Sequence, residues 1–352
     1  MTPSPPDLAA TRVLVTGATG FIAQHCILQL LDAGYSVRGS ARSASRAERL
    51  RDTLRPHLAS PDALTGFELV SADLTRDEGW DEAVAGCTYV LHVASPIPRT
   101  PPDDEEELIV PARDGVLRVL DASARAGVRR VVLTSSMAAI LYGRDRSRVF
   151  DESSWSDVES KAIGAYEKSK TLAERAAWDF IDKDASGMEL AVINPGLVLG
   201  PVLDDDWGTS GEAIKKLFDR DFPAVPDMNW ACVDVRDVAS AHLAAMTVPE
   251  AAGQRFICAE QNHSMREVAE ILAREFGPRG FKIPTGRLPG FLVRLAAIFD
   301  KTARLGLNDL GVKQQVDTTR IRTVLGWEAR GLEEMVVAMG QSFIDHGIVT
   351  AG

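Results

Sequence analysis

A short apolar run leads straight into two glycines and then into a longer apolar segment, "VLVTGATGFIAQH", residues 13–25. "RVLVTG" reads as a buried strand that stops at a glycine, and "FIAQHCILQLLDAG" as a helix closed by Gly34. Gly17 permits the tight turn between them, and Gly20 lets backbone approach a ligand where the helix begins. N–H groups at a helix start attract anions, so this turn is expected to cradle a pyrophosphate. Ala23 occupies the third small position, which sets the closeness of helix and sheet; a methyl group there is a mild change. A glycine-rich turn without a ligand is the plainer alternative, because GxxGxxA is permissive.

The rest of the chain repeats the alternation. "YSVRGSAR", "FELVSADL", "YVLHVAS", "RRVVLTSS" and "ELAVINPG" are short apolar runs. Segments such as "ELIVPARDGVLRVLDASARAG" and "AYEKSKTLAERAAWDFIDKD" have apolar residues every three or four positions. The expected fold class is α/β, a Rossmann-type doubly wound parallel sheet with a smaller, discontinuous C-terminal substrate-binding lobe. After Gly200 the pattern becomes turn-rich, and "ACVDVRDVASAHLAAM" then returns to strand and helix. The expected division is therefore 1–200 plus about 231–262 for the dinucleotide domain, with about 201–230 and 263–352 for the lobe.

Bulk properties exclude several classes. A formal charge of -11 opposes broad affinity for nucleic acid or anionic membrane. Cys26, Cys87, Cys232 and Cys258 are scattered singly, and the six histidines show no HExxH or paired ligand spacing, so no catalytic metal is expected. His25 and His92 read as structural. The acidic runs at 103–107 and 204–206 are more simply loop or helix-cap charge than metal ligands. No apolar run reaches the length of a membrane span, and "MTPSPPDLAATR" lacks the pattern of a signal peptide, so the expected location is the cytoplasm.

The second strand hints at the cofactor. An acidic residue at its end would chelate the ribose hydroxyls of NAD, but "VRGSARSASR" has no carboxylate and offers Arg38, Arg42 and Arg46. Arg38 and Arg42 are expected to pair with a 2'-phosphate, making NADPH (or NADP+) the cofactor, with solvated surface arginines as the alternative. Asp73, in "SADL", is placed to accept from the adenine amino group with Leu74 against the ring; a capping aspartate is the other reading.

"AYEKSK" puts Tyr166 and Lys170 at i and i+4, on one helix face. The ammonium charge is expected to lower the tyrosine pKa, which suits a general acid/base acting on a carbonyl oxygen. "LTSSM" at a strand end offers Ser135 or Ser136 to hold the same oxygen. The pair alone is common on helix surfaces. The phosphate turn, the strand-end serine and YxxxK in this order carry more weight together.

At this point the chain resembles the extended short-chain dehydrogenase/reductases, in particular the branch of dihydroflavonol reductases, cinnamoyl-CoA reductases and microbial NADPH-dependent aldehyde/ketone reductases. The residues that carry this are "VTGATGFIA", "GYSVRGSARS", "VLHVASP", "VVLTSS", "DESSWSD", "YEKSKTLAERAAW", "NPGLVLGP", "VDVRDVASAH" and "VDTTRIRTVLGW". The resemblance implies hydride transfer between a nicotinamide and a carbonyl carbon, with Tyr166 as general acid/base. Lys170 would bond the nicotinamide ribose, and Ser136, the second serine of the step, would orient the carbonyl with Ser135 as backup. It further implies Gly17, Gly20, Phe21 and Ile22 over the pyrophosphate, Ala94 beside the cofactor and Pro195 flanking the nicotinamide. Ala23 is common in the microbial members. "MAAILYG" lacks the polar residue that plant flavonoid reductases place near their substrate, which lowers a flavonoid assignment.

The expected activity is an NADPH-dependent carbonyl reductase, reversible as an alcohol dehydrogenase, on small carbonyl or alcohol substrates with an apolar or aromatic group. A homodimer is an open option. A nucleotide-sugar epimerase or dehydratase, an acyl-CoA reductase and a non-catalytic NADP(H)-binding protein are the alternatives. Trp207, Phe218, Phe222, Met228 and Trp230 are candidates for either an apolar pocket or the core of the lobe.

Overall fold

The computed structural model describes residues 8–42, 44–96, 104–221, 223–299 and 306–351. In chain order its elements begin with β1 (Arg12–Val15), α1 (Phe21–Asp32), β2 (Ser36–Ala41), α2 (Ala44–Leu54), β3 (Phe67–Ser71), α3 (Trp80–Val84) and β4 (Tyr89–His92). α4 (Glu106–Arg125), β5 (Arg130–Thr134), α5 (Ala138–Leu141), β6 (Val149–Phe150), α6 (Ala165–Ile181) and β7 (Glu189–Pro195) follow. The remainder holds β8 (Leu197–Leu199), α7 (Gly208–Asp219), β9 (Val225–Pro226), β10 (Asn229–Asp234), α8 (Val235–Thr247), β11 (Arg255–Cys258), β12 (Asn262–Ser264), α9 (Met265–Phe276), β13 (Arg287–Leu288), α10 (Gly290–Phe299) and β14 (Gln315–Val316). Two further helices, Thr319–Leu325 and Leu332–Asp345, close the chain.

Seven strands form one parallel sheet in the order β11-β7-β5-β4-β1-β2-β3. This is the Rossmann-type doubly wound α/β sheet read from the sequence. The chain winds outward from β1 through β2 and β3, then restarts at β4 on the other side. The reversal opens a crevice at the carboxyl ends of β1 and β4, where such sheets bind ligands. Val13, Leu14 and Val15 are all fully buried. Val13 and Val15 join the core beneath α1 and α8, while Leu14 joins the opposite core beneath α3, α4 and α6. Alternate side chains feed opposite cores, which is why an uninterrupted apolar run suits a strand covered on both faces.

Of the stretch 231–262, only β11 joins the main sheet. β10 instead pairs in parallel with β8 and antiparallel with β12. The core under α1 and α8 continues into α7, α9 and the C-terminal helix through Phe218, Phe276 and Phe343. No helix among the described residues is long and apolar enough to cross a membrane.

Three buried histidines are built into this frame in neutral form. Burial, against a hydrogen bond to the Pro201 carbonyl, lowers His25 to about 4. Burial next to Lys170 lowers His92 to about 3, and burial, opposed by the Val238 carbonyl, lowers His242 to about 4. His242 donates from Nδ1 to Val238, so its Nε2 accepts from the Thr134 hydroxyl at 2.6 Å. All three pKa values lie below the unfolded value, so below about 6.5 the unfolded chain takes up protons that the native state refuses. Stability should therefore fall with acidification, by about 1.4 kcal/mol per histidine per pH unit between 6.5 and 4. Urea midpoints measured at pH 7.5, 6, 5 and 4.5 check this; a flat series would contradict it.

Candidate active site and family

The turn after β1 is shaped by contact as well as by conformation. Gly17 has φ +65°, and a Cβ there would lie 2.9 Å from that of Ala94 just beyond β4. Only glycine lets the two strand ends approach so closely. The Gly17 N–H donates to Ser40 Oγ at 3.3 Å and the Ala18 N–H to the Ser40 carbonyl at 2.8 Å, which ties the turn to β2. Gln24 N–H makes the first bond of α1, to the Gly20 carbonyl, and no side chain caps the helix. The N–H groups of Phe21, Ile22 and Ala23 thus face the crevice without helical acceptors. Their side chains point elsewhere: Phe21 is buried against Gly208, Ile22 is half-buried, and Ala23 is fully buried. A glycine cradle before an uncapped helix start fits a diphosphate.

The two arginines part company. Arg38 is 9% exposed, and its Nε donates to Glu68 at 2.7 Å. Its Nη1 donates to the carbonyls of Glu82, Ala83 and Ala85 at 2.9, 3.0 and 2.8 Å. Glu82 and Ala83 lie in the last turn of α3 and Ala85 just past it, so Arg38 caps that helix from inside. The expectation that it meets a 2'-phosphate is corrected: its donors are committed at the other end of the helix layer. Arg42, just past β2, is exposed, and its charge acts on Asp73. Burial raises Asp73, but two hydrogen bonds from Thr75, with Arg42 and Arg76, pull it below the usual carboxylate value. Asp73 thus closes a local turn through Thr75 rather than capping a helix, and the charge of Arg42 reaches it. Arg46's side chain lies outside the described residues.

Leu74 is buried and shares a small cavity with His92, Ala94, Ser95, Lys170 and Glu174. Ala94 N–H donates to Thr16 Oγ1 at 3.0 Å. The Pro195 carbonyl accepts from Met137 N–H at 3.0 Å, which sets the end of β7 beside the serine turn.

That turn separates the two serines. Ser135 is 6% exposed and donates to Glu174 Oε2 at 2.5 Å. Ser136 is half-buried, and its hydroxyl stands near enough to that of Tyr166 to favour the phenolate. Its own Oγ also accepts from Ala138 N–H at 3.1 Å, which orients it. Tyr166 and Lys170 share one face of α6, the ammonium 6.0 Å from the ring centroid. Lys170 is buried and donates to Ser95 Oγ at 3.1 Å. Burial lowers it to about 8, against the pull of the Glu174 carboxylate. Tyr166 does not follow the expectation of a lowered pKa. Burial raises it above the ordinary phenol value, Ser136 only partly offsets this, and the charge of Glu167 adds to the rise. The residue as a whole is 37% exposed.

Glu174 went unnoticed in the sequence reading. It continues the four-residue spacing of Tyr166 and Lys170, and that spacing was the available signal. Three aromatic candidates also find their places. Phe218 packs on Phe276 and Phe281 at 5.6 and 5.3 Å, and so fills the lobe's core. Trp207 meets Phe343 at 6.1 Å, and Trp230 packs partly buried against the same core. Met228 lines a separate cleft of about 580 Å³. Phe222 lies outside the described residues.

The model of the NAD dependent epimerase/dehydratase family matches residues 13–259, which include every strand end named above. The chain belongs to this family. It is an extended short-chain dehydrogenase/reductase, and its similarity runs to the reductases among them. It is 39% identical over 278 residues to cinnamoyl-CoA reductase 1 of Petunia hybrida, covering 78% of this chain and 79% of that one. With the NADPH-dependent methylglyoxal reductase Gre2 of Saccharomyces cerevisiae it shares 34% identity over 347 residues, 92% of this chain and 95% of the relative. The crystal structure of yeast methylglyoxal/isovaleraldehyde reductase Gre2 complexed with NADPH superposes with a TM-score of 0.79 at 32% identity, covering 96% and 100% of the two chains.

Proposed function

We propose that this extended short-chain reductase is an NADPH-dependent carbonyl reductase that reduces a ketone or aldehyde and reverses as an alcohol dehydrogenase. That it is an NADP(H)-dependent oxidoreductase follows from its family branch; the carbonyl chemistry is our reading of the site. The observation that carries it is the convergence of Ser136, Tyr166 and buried Lys170 at the crevice: the ammonium lies 6.0 Å from the tyrosine ring and donates to Ser95, and Ser136 stands near enough to the phenol to ease its ionisation.

The cofactor fits the residues present. The N–H groups at the start of α1 and the Gly17–Gly20 turn would hold its pyrophosphate, Arg42 its 2'-phosphate and Lys170 its nicotinamide ribose, with Asp73, Leu74, Ala94 and Pro195 along its length. Bound there, the nicotinamide would supply the hydride. Tyr166 gives its proton to the carbonyl oxygen as negative charge gathers on it, and Ser136 holds the same oxygen by its hydroxyl. The Lys170 ammonium stabilises the phenolate left behind, a stronger effect in this buried setting than in water. The raised phenol keeps Tyr166 protonated at neutral pH and ready to act as an acid in the reductive direction.

The first test is oxidation of NADPH and NADH, in parallel, against an aryl ketone, an aliphatic ketone, a β-keto ester, an aromatic aldehyde and a flavanonol, with the alcohols run in reverse. We expect turnover with NADPH well above NADH. Arg42→Ala should raise the KM for NADPH about tenfold, the scale of one lost charge-assisted contact, and leave that for NADH nearly unchanged. Equal use of the two cofactors by the parent enzyme would remove Arg42 from its role. Silence with both would move the reading to a sugar-nucleotide enzyme or a non-catalytic binder.

A further inference from the structure

One side chain behind the catalytic face binds three parts of the site at once. Glu174 lies one helical turn beyond Lys170, and its carboxylate is fully buried. It accepts from Ser135 Oγ at 2.5 Å and from Asn194 Nδ2 at 2.8 Å, and Asn194 also donates to the Ser136 carbonyl at 3.1 Å. On its other oxygen it accepts from Arg255 Nε at 2.5 Å and Trp178 Nε1 at 3.4 Å. Arg255 in turn donates to the carbonyls of Glu152 and Ser154, both at 2.8 Å, and lies 3.7 Å over the Trp155 ring.

We propose that Glu174 is a positioning residue for this reaction, whose buried carboxylate ties the charge of Lys170 to the backbone that carries Ser136. The proposal rests on the carbonyl-reductase reading only for its kinetic consequence. Its structural half concerns Lys170 alone. The polar and titratable groups around Lys170 are Glu174 and Tyr166 on its own helix, His92 and Ser95 at the end of β4, and Thr134 and Ser135 at the end of β5, with apolar side chains such as Ala112 and Val116 of α4 between them. His92 is neutral, because burial and the lysine itself both lower it. Glu174 is therefore the anion that lines the same cavity as the ammonium, one helical turn away, and its charge opposes the burial that favours loss of the proton. Arg255, farther out, neutralises the carboxylate's remaining face and fixes its position.

The test follows Lys170 directly. Protein carrying lysine labelled with 13C at Cε is titrated by NMR, the Lys170 signal being assigned by its loss in Lys170→Arg. In the parent the signal should titrate near 8. In Glu174→Gln it should titrate about one pH unit lower, and in Glu174→Asp, which keeps the charge, it should stay close to the parent value. The alkaline limb of kcat/KM for NADPH-dependent carbonyl reduction should move with it. Removing one partner of a buried ion pair can unfold a protein, so Glu174→Gln is paired with Arg255→Met in a double variant that leaves no uncompensated charge. The double variant should show the same lowered titration. An unmoved Lys170 signal in either folded variant, or a parent signal with no inflection below about pH 9, would make Glu174 merely structural and overturn the proposal. If the labelled lysine shifts as stated while no carbonyl is reduced, the assigned reaction fails and the proposed tie between Glu174 and Lys170 stands.

Discussion

Tyr166→Phe lowers carbonyl turnover by roughly 100-fold or more, the scale of a lost general acid, while NADPH binds nearly as it does to the parent. The two halves of this expected result have separate origins. The phenol hydroxyl is the group beside Ser136, while Lys170 donates to Ser95 and Ser135 to Glu174; the neighbouring Glu167 acts on the phenol through its charge, which raises it further. The ring remains, so Lys170 keeps its neighbour at 6.0 Å and the turn at Gly17 is untouched. Steady-state kinetics and a fluorescence titration with NADPH measure the two independently. Equal turnover would end the assigned mechanism, and a large loss of cofactor affinity would make Tyr166 chiefly a binding residue.

The second large effect is expected at Gly17. A branched side chain at φ +65° costs about 1–3 kcal/mol in backbone strain alone. The Cβ of Gly17→Val would also press on the Cβ of Ala94, 2.9 Å away, and Ala94 sits on backbone that cannot swing aside like a flexible side chain. Relief requires the strand ends β1 and β4 to part, which moves the N–H groups of the turn away from the phosphates they would hold. The affinity for NADPH should fall more than tenfold, with a lower melting temperature. If the variant were less stable but bound NADPH as before, the glycine would be needed by the fold and the cofactor would sit elsewhere.

What could be read from the sequence divides along a physical line. Six strands of the main sheet, β1 to β5 and β7, with α1, α4 and α6, the glycine turn and the Tyr166–Lys170 face were legible because each is set by neighbours a few residues away, whereas β11 carried no such local signal. Two assignments depended on distant partners. Arg38 reads like a phosphate ligand until the end of α3 and the residue after it deliver three carbonyls to it, more than forty residues later. Glu174 draws no notice in the sequence because the partners that give it a role, Asn194 and Arg255, arrive from β7 and β11. The tyrosine pKa failed for another reason: the spacing revealed the ammonium but not the burial that outweighs it. Phe218 needed Phe276 and Phe281 to declare itself core.

The helix whose start forms the anion cradle also reaches the segment beyond β8. Gln24 Nε2 donates to Asp204 Oδ2 at 2.8 Å, His25 Nε2 to the Pro201 carbonyl at 2.9 Å, and Gly208 packs on Phe21. For anyone recombining such enzymes, this makes Gly200 a poor seam. A chimera that exchanges residues 201–230 for those of a relative would inherit the donor's loop and keep a clasp cut for another. Carrying Phe21, Gln24 and His25 across with the loop would transplant the lock together with its key.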